Sequence, residues 1–380
     1  MRVFGDWINH PGTQRFLQVL DSAGHCALFV GGCVRNALMD IAVNDVDIAT
    51  DAPPETVTNL AETAGFRVVP TGVAHGTVTV FADGAAHEVT TFRQDIKTDG
   101  RHAVVAFNAS ISQDAARRDF TMNALYADAA GHVVDPLGCE ADVLARRVRF
   151  IGDAQARIRE DYLRVLRFFR FNAIYGDQNL GIDAEGLAAC ARNAEGLDGL
   201  AAERIGAEMR KLLGAPDPAP SVASMAQAGI LARLLPGADP VALGPLVHLE
   251  AGIAPRWLRR LAVIGGENIA ERLALSRAEA VSISHIKAEI ASLSLPSALG
   301  WRLGAAVAED VILCRAAILQ SSLPDDWRTD IARGVHAGLP VTAADLMPAL
   351  TGPALGEKLR QIEQRWLASD LTLTKAQLLA

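Results

Sequence analysis

Residues 28–51, LFVGGCVRNALMDIAVNDVDIATD, decide how this chain is read. An apolar run from Leu28 ends in Gly31-Gly32, after which Val34, Leu38 and Ile41 recur at helical spacing, so a short buried strand turns through glycines into a helix. Unpaired N–H groups at that helix start, beside glycines that let a ligand approach the main chain, suit a phosphate, and Arg35 adds a guanidinium fork. Asp45-Val46-Asp47-Ile48 follows, where period-2 alternation puts both carboxylates on one strand face and Val46 and Ile48 on the core face. Two adjacent acids repel, and a hard divalent cation relieves that repulsion. Mg²⁺ takes one or two protein carboxylates plus phosphate oxygens. The stretch reads as triphosphate plus metal.

GG-x-x-R followed by D-x-D at this interval resembles the first signature of the DNA polymerase beta-like nucleotidyltransferases. The form GGCVRN with NDVDIAT is similar to the branch that holds CCA-adding tRNA nucleotidyltransferases and bacterial poly(A) polymerases. That branch usually has Asp where this chain has Asn36, which removes one orienting partner for Arg35 but no metal ligand. A second match is R-R-D-F-T-x-N-A within residues 115–126, AARRDFTMNALY. The resemblance implies that Gly32, Arg35 and Arg118 hold the triphosphate, and that Asp119 and Asn123, read as i, i+4 neighbours on a helix, meet a ribose hydroxyl.

Between the two signatures, residues 53–65 read as a helix opened by prolines and closed by Gly65. FRVVP (66–70), GTVTVFA (76–82) and HEVTTF (87–92) read as short strands, the last offering Glu88 either as a third catalytic carboxylate or as an exposed strand glutamate. Residues 93–114 are polar at first and carry Gly100, so a mobile loop is expected, and RRVRFIGD (146–153) reads as a last strand. From Ala154 onward strand signals nearly vanish and Ala- and Leu-rich periodicity runs to the end.

The segment IREDYLRVLRFFRF (158–171) reads as one helix carrying Asp161, Arg164, Arg167 and Arg170 at intervals of three. Three residues turn a helix by about 300°, so neighbours touch while the row winds, and only the pair Asp161 and Arg164 can share one base. An acceptor beside a donor fork fits the exocyclic amino donor and ring-nitrogen acceptor that C and A present, where U and G present carbonyls. E-D-x-x-R resembles the protein template of CCA-adding enzymes, with Glu160 bracing Arg164 and with Arg167 and Arg170 matching further nucleotide-binding positions. Tyr162 stands where poly(A) polymerases typically have proline, which tilts the reading to CCA addition.

Composition bounds the rest. The 380 residues exceed one core's usual size, so two or more domains are expected. Five cysteines in no paired spacing argue against a zinc site or a disulfide framework, and a reducing cytosol fits. The first residues carry no apolar signal region and no run of eighteen apolar residues occurs, so neither secretion nor a membrane span is expected. Net charge is −8, yet residues 146–170 hold eight arginines against Asp153, Glu160 and Asp161, a basic segment able to localise a polyanion on an acidic protein. Trp257 among the arginines of PRWLRRLA (255–262) reads as an RNA-facing patch or a snorkelling surface.

The expected fold is an α/β nucleotidyltransferase head, a small mixed sheet with helices over residues 1–150. A helical neck (151–215) selecting the base and a helical body and tail (216–380) binding tRNA follow. The function the resemblance implies is cytoplasmic, template-independent, Mg²⁺-dependent addition of CCA to the tRNA 3′ end from CTP and ATP. Asp45 and Asp47 would hold the metal and Glu88 would assist. A poly(A) polymerase, an enzyme adding only CC or only A, and a non-catalytic RNA-binding module are the rivals.

Overall fold

The computed structural model describes residues 1–99, 102–107 and 109–380. By internal contacts the chain forms two compact units, Met1–Leu200 with Ala228–Ile230, and Ala201–Gln227 with Leu231–Ala380.

The first unit begins with α1 (Pro11–Ser22), which starts where His10 accepts from the Thr13 N–H, has proline in its first turn, and buries Phe16, Leu17 and Leu20. Then come β1 (Ala27–Val30), α2 (Gly32–Leu38), β2 (Val46–Thr50), α3 (Pro54–Thr63), β3 (Arg67–Gly72), β4 (Thr77–Ala82) and β5 (Ala85–Thr91). β6 (Arg93–Asp99), β7 (His102–Phe107), α4 (Ile111–Ala116), β8 (Tyr126–Ala127) and β9 (Val133–Val134) follow, and α5 (Glu140–Leu144), α6 (Ala154–Glu160) and α7 (Leu163–Tyr175) lead out.

Seven strands form one mixed sheet in the order β3-β4-β5-β2-β1-β8-β9. β2 runs parallel to β5, with Asp47 opposite Glu88, and antiparallel to β1, with Ile48 opposite Phe29. Because Ile48 and Phe29 are both fully buried, the side-chain alternation of β2 is locked, and Asp47 points to the other face beside Glu88.

Four local expectations are corrected. The described residues within 93–114 are not a loop, with 100, 101 and 108 lying outside them: β6 and β7 pair antiparallel as a separate two-stranded sheet, and α4 follows behind a capping box of Ser110 and Gln113. The β-branched Val104-Val105 carried a strand signal that the charges and Gly100 outweighed. Residues 115–126 are not one helix, since α4 ends at Ala116, Phe120 is extended, and only Thr121–Asn123 form a 3-10 turn. Residues 146–153 form no strand beyond a single bridge of Phe150 to Phe120. Residues 158–171 are two helices that part at Asp161 (φ −156°, ψ 106°), whose Oδ1 accepts from the Leu163 N–H at 3.1 Å. That short carboxylate offers the backbone an alternative to the helix ladder.

The second unit is helical throughout its length. Arg259 and Arg260 of the helix Trp257–Ile264 are interior residues, neither an RNA-facing patch nor a snorkelling surface. Glu250 accepts from Arg259 Nε at 2.6 Å and from Arg260 Nε at 2.8 Å, and Arg260 Nη1 also donates to the Leu213 carbonyl at 2.8 Å. Buried guanidinium groups are tolerated because carboxylates and helix-end carbonyls satisfy them. No helix among the described residues is long and apolar enough to cross a membrane.

Candidate active site

The glycine turn is built as its sequence suggests. Gly31 caps α2 at φ 70°, a left-handed backbone that favours glycine. A side-chain carbon added there would lie 3.4 Å from Arg118 Nη1, and one added at Gly32 would lie 3.8 Å from Arg35 Nη2. Two guanidinium groups therefore stand at the turn. With only seven residues, α2 is short, so these cations and not the helix terminus dominate the local field.

The acids gather beside them. Asp47 is half-buried on β2, Glu88 is exposed on β5 in register with it, and Asp45 is exposed just ahead of β2. Burial and then the Glu88 charge push the Asp47 carboxyl up to about 6; Arg118 pulls the other way and Asp45 adds to the rise. Beneath them Cys33 is buried with its thiol pushed up to about 11, by burial and then by Asp47, which leaves it inert. Among the described residues no three His, Cys, Asp or Glu side chains form a ready metal cage. Two carboxylates completed by substrate oxygens fit a hard cation better than a closed all-protein site.

Arg118 is held rigidly. Its Nη2 donates to Asp114 Oδ2 at 3.0 Å and its Nε to the Tyr126 hydroxyl at 3.3 Å, while that hydroxyl donates to Asp114 at 2.7 Å. Arg117 pairs with the other Asp114 oxygen at 2.8 Å. Burial alone would raise the Asp114 carboxyl, but Arg118 and Arg117 hold it below the ordinary range. Neither Asp114 nor Tyr126 was singled out from the sequence. The signal for Asp114 was its position four residues before Arg118, the spacing of a helical ion pair. Tyr126 carried none.

Asp119 and Asn123 meet without sharing a helix: Asn123 Nδ2 donates to Asp119 Oδ1 at 3.0 Å. The other Asp119 oxygen accepts from Arg167 Nε at 2.7 Å, and Arg35 Nη1 donates to Asn123 Oδ1 at 2.5 Å. Arg35 Nη2 reaches the Tyr175 hydroxyl and Asn36 Oδ1, both at 2.8 Å. The series Arg167, Asp119, Asn123, Arg35, Tyr175 is thus one hydrogen-bonded chain joining α2 and the turn at residues 119–123 to α7. The Phe171 ring lies within reach of three guanidinium carbons, those of Arg35 and Arg167 at 5.4 Å and of Arg170 at 4.9 Å. Neither Phe171 nor Tyr175 carries a signal in the sequence that marks it as a site residue.

The expected base-reading pair sits at the break between α6 and α7. Arg164 Nη1 donates to Glu160 Oε2 at 2.5 Å and to the Arg157 carbonyl at 2.8 Å, and Nη2 reaches the Arg117 carbonyl at 3.4 Å. Asp161 is engaged with Leu163 at the helix start, and the Tyr162 ring packs against Gly196, where any side chain would collide with it.

The chain matches a family model described as the poly A polymerase head domain over residues 27–149, and one described as the probable RNA- and SrmB-binding site of polymerase A over residues 179–241. It is 40% identical over 203 residues to the mitochondrial CCA tRNA nucleotidyltransferase 1 of Mus musculus, covering 53% of this chain and 47% of that one. With several such curated relatives the match spans about half of their length. A longer match, 32% identical over 366 residues, covers 95% of this chain and 83% of the CCA-adding enzyme of Geobacillus kaustophilus. Among solved structures, the Bacillus stearothermophilus CCA-adding enzyme in complex with CTP superposes with a TM-score of 0.74 at 30% identity, covering 94% of this chain and 93% of that one. A Thermotoga maritima CCA-adding enzyme complexed with tRNA shares the fold at a TM-score of 0.70 and 19% identity, over 99% and 95% of the two chains. On this head domain, and on a relative aligned over nearly the whole chain, the protein belongs to the family of CCA-adding enzymes and poly(A) polymerases.

Proposed function

We propose that this protein adds the 3′-terminal CCA to tRNA from CTP and ATP, without a nucleic-acid template and with release of pyrophosphate. The observation that carries it is the opposition at one turn of three acids, Asp45, Asp47 and Glu88, to two guanidinium groups, Arg35 and Arg118. Acids alone would make a cation site and guanidinium groups alone an anion site; together they suit a metal-bound triphosphate.

Membership in this family implies a divalent metal ion, and the donors fit one: the raised Asp47 carboxyl records a repulsion that a cation relieves. We assign Mg²⁺ to Asp45 and Asp47, with Glu88 assisting. When bound it lowers the pKa of the RNA 3′-hydroxyl and neutralises charge on the leaving pyrophosphate. The protein's own residues position the reactants. Gly32 leaves room for the triphosphate, Arg118 and Arg35 hold it, and Asp119 and Asn123 meet the ribose hydroxyl. Asp161 accepts from the base amino group and Arg164 donates to its ring nitrogen, while Arg167 and Arg170 complete the nucleotide contacts.

The division of labour follows: residues 1–150 catalyse, 151–215 select the base, and 216–380 bind tRNA. The setting is cytoplasmic. The test is extension of a tRNA lacking its 3′ CCA, with Mg²⁺ and CTP, ATP or both. Full-length CCA product is expected. A ladder of A marks a poly(A) polymerase, a stop after CC or addition of A alone marks a partial enzyme, and no incorporation with retained tRNA binding marks a non-catalytic module.

A further inference from the structure

Behind the acids, on the opposite face of the sheet, two polar side chains are buried, His87 of β5 at 2% exposure and Thr13 of α1 at 0%. Glu88 stands beside Asp47 on the site face, so strand alternation turns its neighbour His87 to the face where α1 packs. The His87 Nδ1 lies 3.2 Å from the Val46 carbonyl oxygen, and because a carbonyl only accepts, Nδ1 carries the hydrogen and donates. Nε2 meets Thr13 Oγ1 at 2.9 Å, and that oxygen lies 3.1 Å from His10 Nδ1 at the start of α1. The start of α1 is itself seated on the sheet: a side-chain carbon added at Gly12 would lie 2.7 Å from the Ala82 carbonyl carbon of β4. The His87 ring is thus clamped between a fixed helix start and the peptide that joins Val46 to Asp47.

That peptide lies where the strands are pushed apart. Val46 is the first residue of β2 and stands between Asp45 and Asp47. The register of β1 with β2 ends at Ile48, so the acid-bearing end of β2 is flanked by β5 alone. There Asp47 and Glu88 are directly opposite, and like charges so placed repel. The Cys33 thiol reaches the Asp47 carbonyl at 3.9 Å, a weak donor at long range. His87 ties β5 to β2 from behind, at the point where the repulsion acts.

We propose, resting on the assignment of the metal to Asp45 and Asp47, that His87 and Thr13 are positioning residues of the metal site: the ring fixes the Val46 carbonyl, and with it the rotation of the two flanking residues, so that both carboxylates face one cation. Both lie on the far face of the sheet, out of reach of metal and nucleotide. A cation that demands near-octahedral geometry binds best to carboxylates already set in place, and losing a residue that sets them lowers metal affinity by about ten- to a hundredfold.

The test is binding of Mn²⁺, which suits the same oxygen ligands, to the whole protein, read from the electron paramagnetic resonance of the free ion, with the melting temperature in EDTA recorded for each variant. His87→Phe keeps the bulk of the ring and removes both nitrogens, and should raise the Mn²⁺ Kd about tenfold. His87→Asn places an amide nitrogen where Nδ1 stands and should recover most of that loss, whereas His87→Gln, whose amide reaches toward Thr13, should not. Thr13→Val, which frees the far side of the ring, should raise Kd about threefold. In tRNA extension His87→Phe should need more Mg²⁺ to reach half its full rate while KM for CTP at saturating Mg²⁺ stays unchanged, a split that a general loss of packing does not produce. Asp47→Asn is the control for the underlying assignment and should abolish Mn²⁺ binding. With that control satisfied, wild-type Mn²⁺ affinity in His87→Phe, or equal losses in His87→Asn and His87→Gln, overturns this inference alone. If His87→Phe does not fold, the other two substitutions at position 87 and Thr13→Val decide. Absence of Mn²⁺ binding in the wild type, or binding left intact by Asp47→Asn, overturns the metal assignment and this inference with it.

Discussion

Replacing Asp47 by Asn should stabilise the metal-free protein while abolishing its activity. In the folded chain this carboxyl is pushed from 3.8 to about 6 by burial and by Glu88, with Asp45 adding and Arg118 opposing. The folded state therefore holds a proton that the unfolded chain releases, and stability falls as pH rises from about 4 to about 6, staying reduced above that. At about 1.4 kcal/mol for each tenfold in proton affinity, the full penalty above pH 7 is about 3 kcal/mol, which solvent at this half-buried group lowers to about 2. Asparagine is uncharged and nearly isosteric, so Asp47→Asn removes the penalty. Denaturant unfolding in EDTA at pH 7.5 should show the variant more stable by about 2 kcal/mol, a gain that shrinks to about half at pH 5 and to about a fifth at pH 4. Adding Mg²⁺ should stabilise the wild-type protein and leave the variant unmoved. Extension of tRNA should drop well over tenfold in the variant. A variant no more stable than wild type at pH 7.5 without metal, or one whose gain does not depend on pH, refutes the carboxylate crowding on which the metal assignment rests.

Three further outcomes are expected. Asp114→Ala strips Arg118 and Arg117 of their shared buried counter-ion and should cost about 3 kcal/mol in chemical denaturation, with KM for CTP and ATP rising together; unchanged KM would show that Arg118 does not need this partner. Shortening the β6–β7 hairpin should leave CC addition intact and stall the enzyme before A, because β6 starts at Arg93, whose N–H meets Asp114 at 3.4 Å beside the Arg118 site; equal loss of both additions, read on a sequencing gel, would mean scaffolding. Asp161→Ala should lose kcat/KM for CTP and ATP and gain relative use of UTP and GTP, since each base partner is worth roughly 1 to 3 kcal/mol, whereas a uniform drop in single-nucleotide extension would remove Asp161 from base choice.

What the sequence determined by itself was the order of local signals. Gly31-Gly32 before a helical periodicity, Asp45 and Asp47 two apart, and the strand-rich first part before a helical remainder all reside in spacings of a few residues, where periodicity and turn chemistry act directly. The i, i+4 bracing of Arg164 by Glu160 was legible for the same reason. Residues 158–171 show where local reading stops: the periodicity continues through Asp161, but its side chain captures the Leu163 N–H and Tyr162 packs on Gly196, so the helix breaks. Tertiary structure alone decided which distant groups share the site. The parallel pairing of β2 with β5 sets Asp47 beside Glu88, and α7 brings Tyr175 to Arg35 across 140 residues of chain. Burial then decides what charge each group carries: Asp114 answers Arg117, Arg118, the Tyr126 hydroxyl and the Arg93 N–H, and Asp47 is crowded toward protonation. Such effects follow from distance and dielectric in three dimensions, quantities that no spacing along the chain encodes.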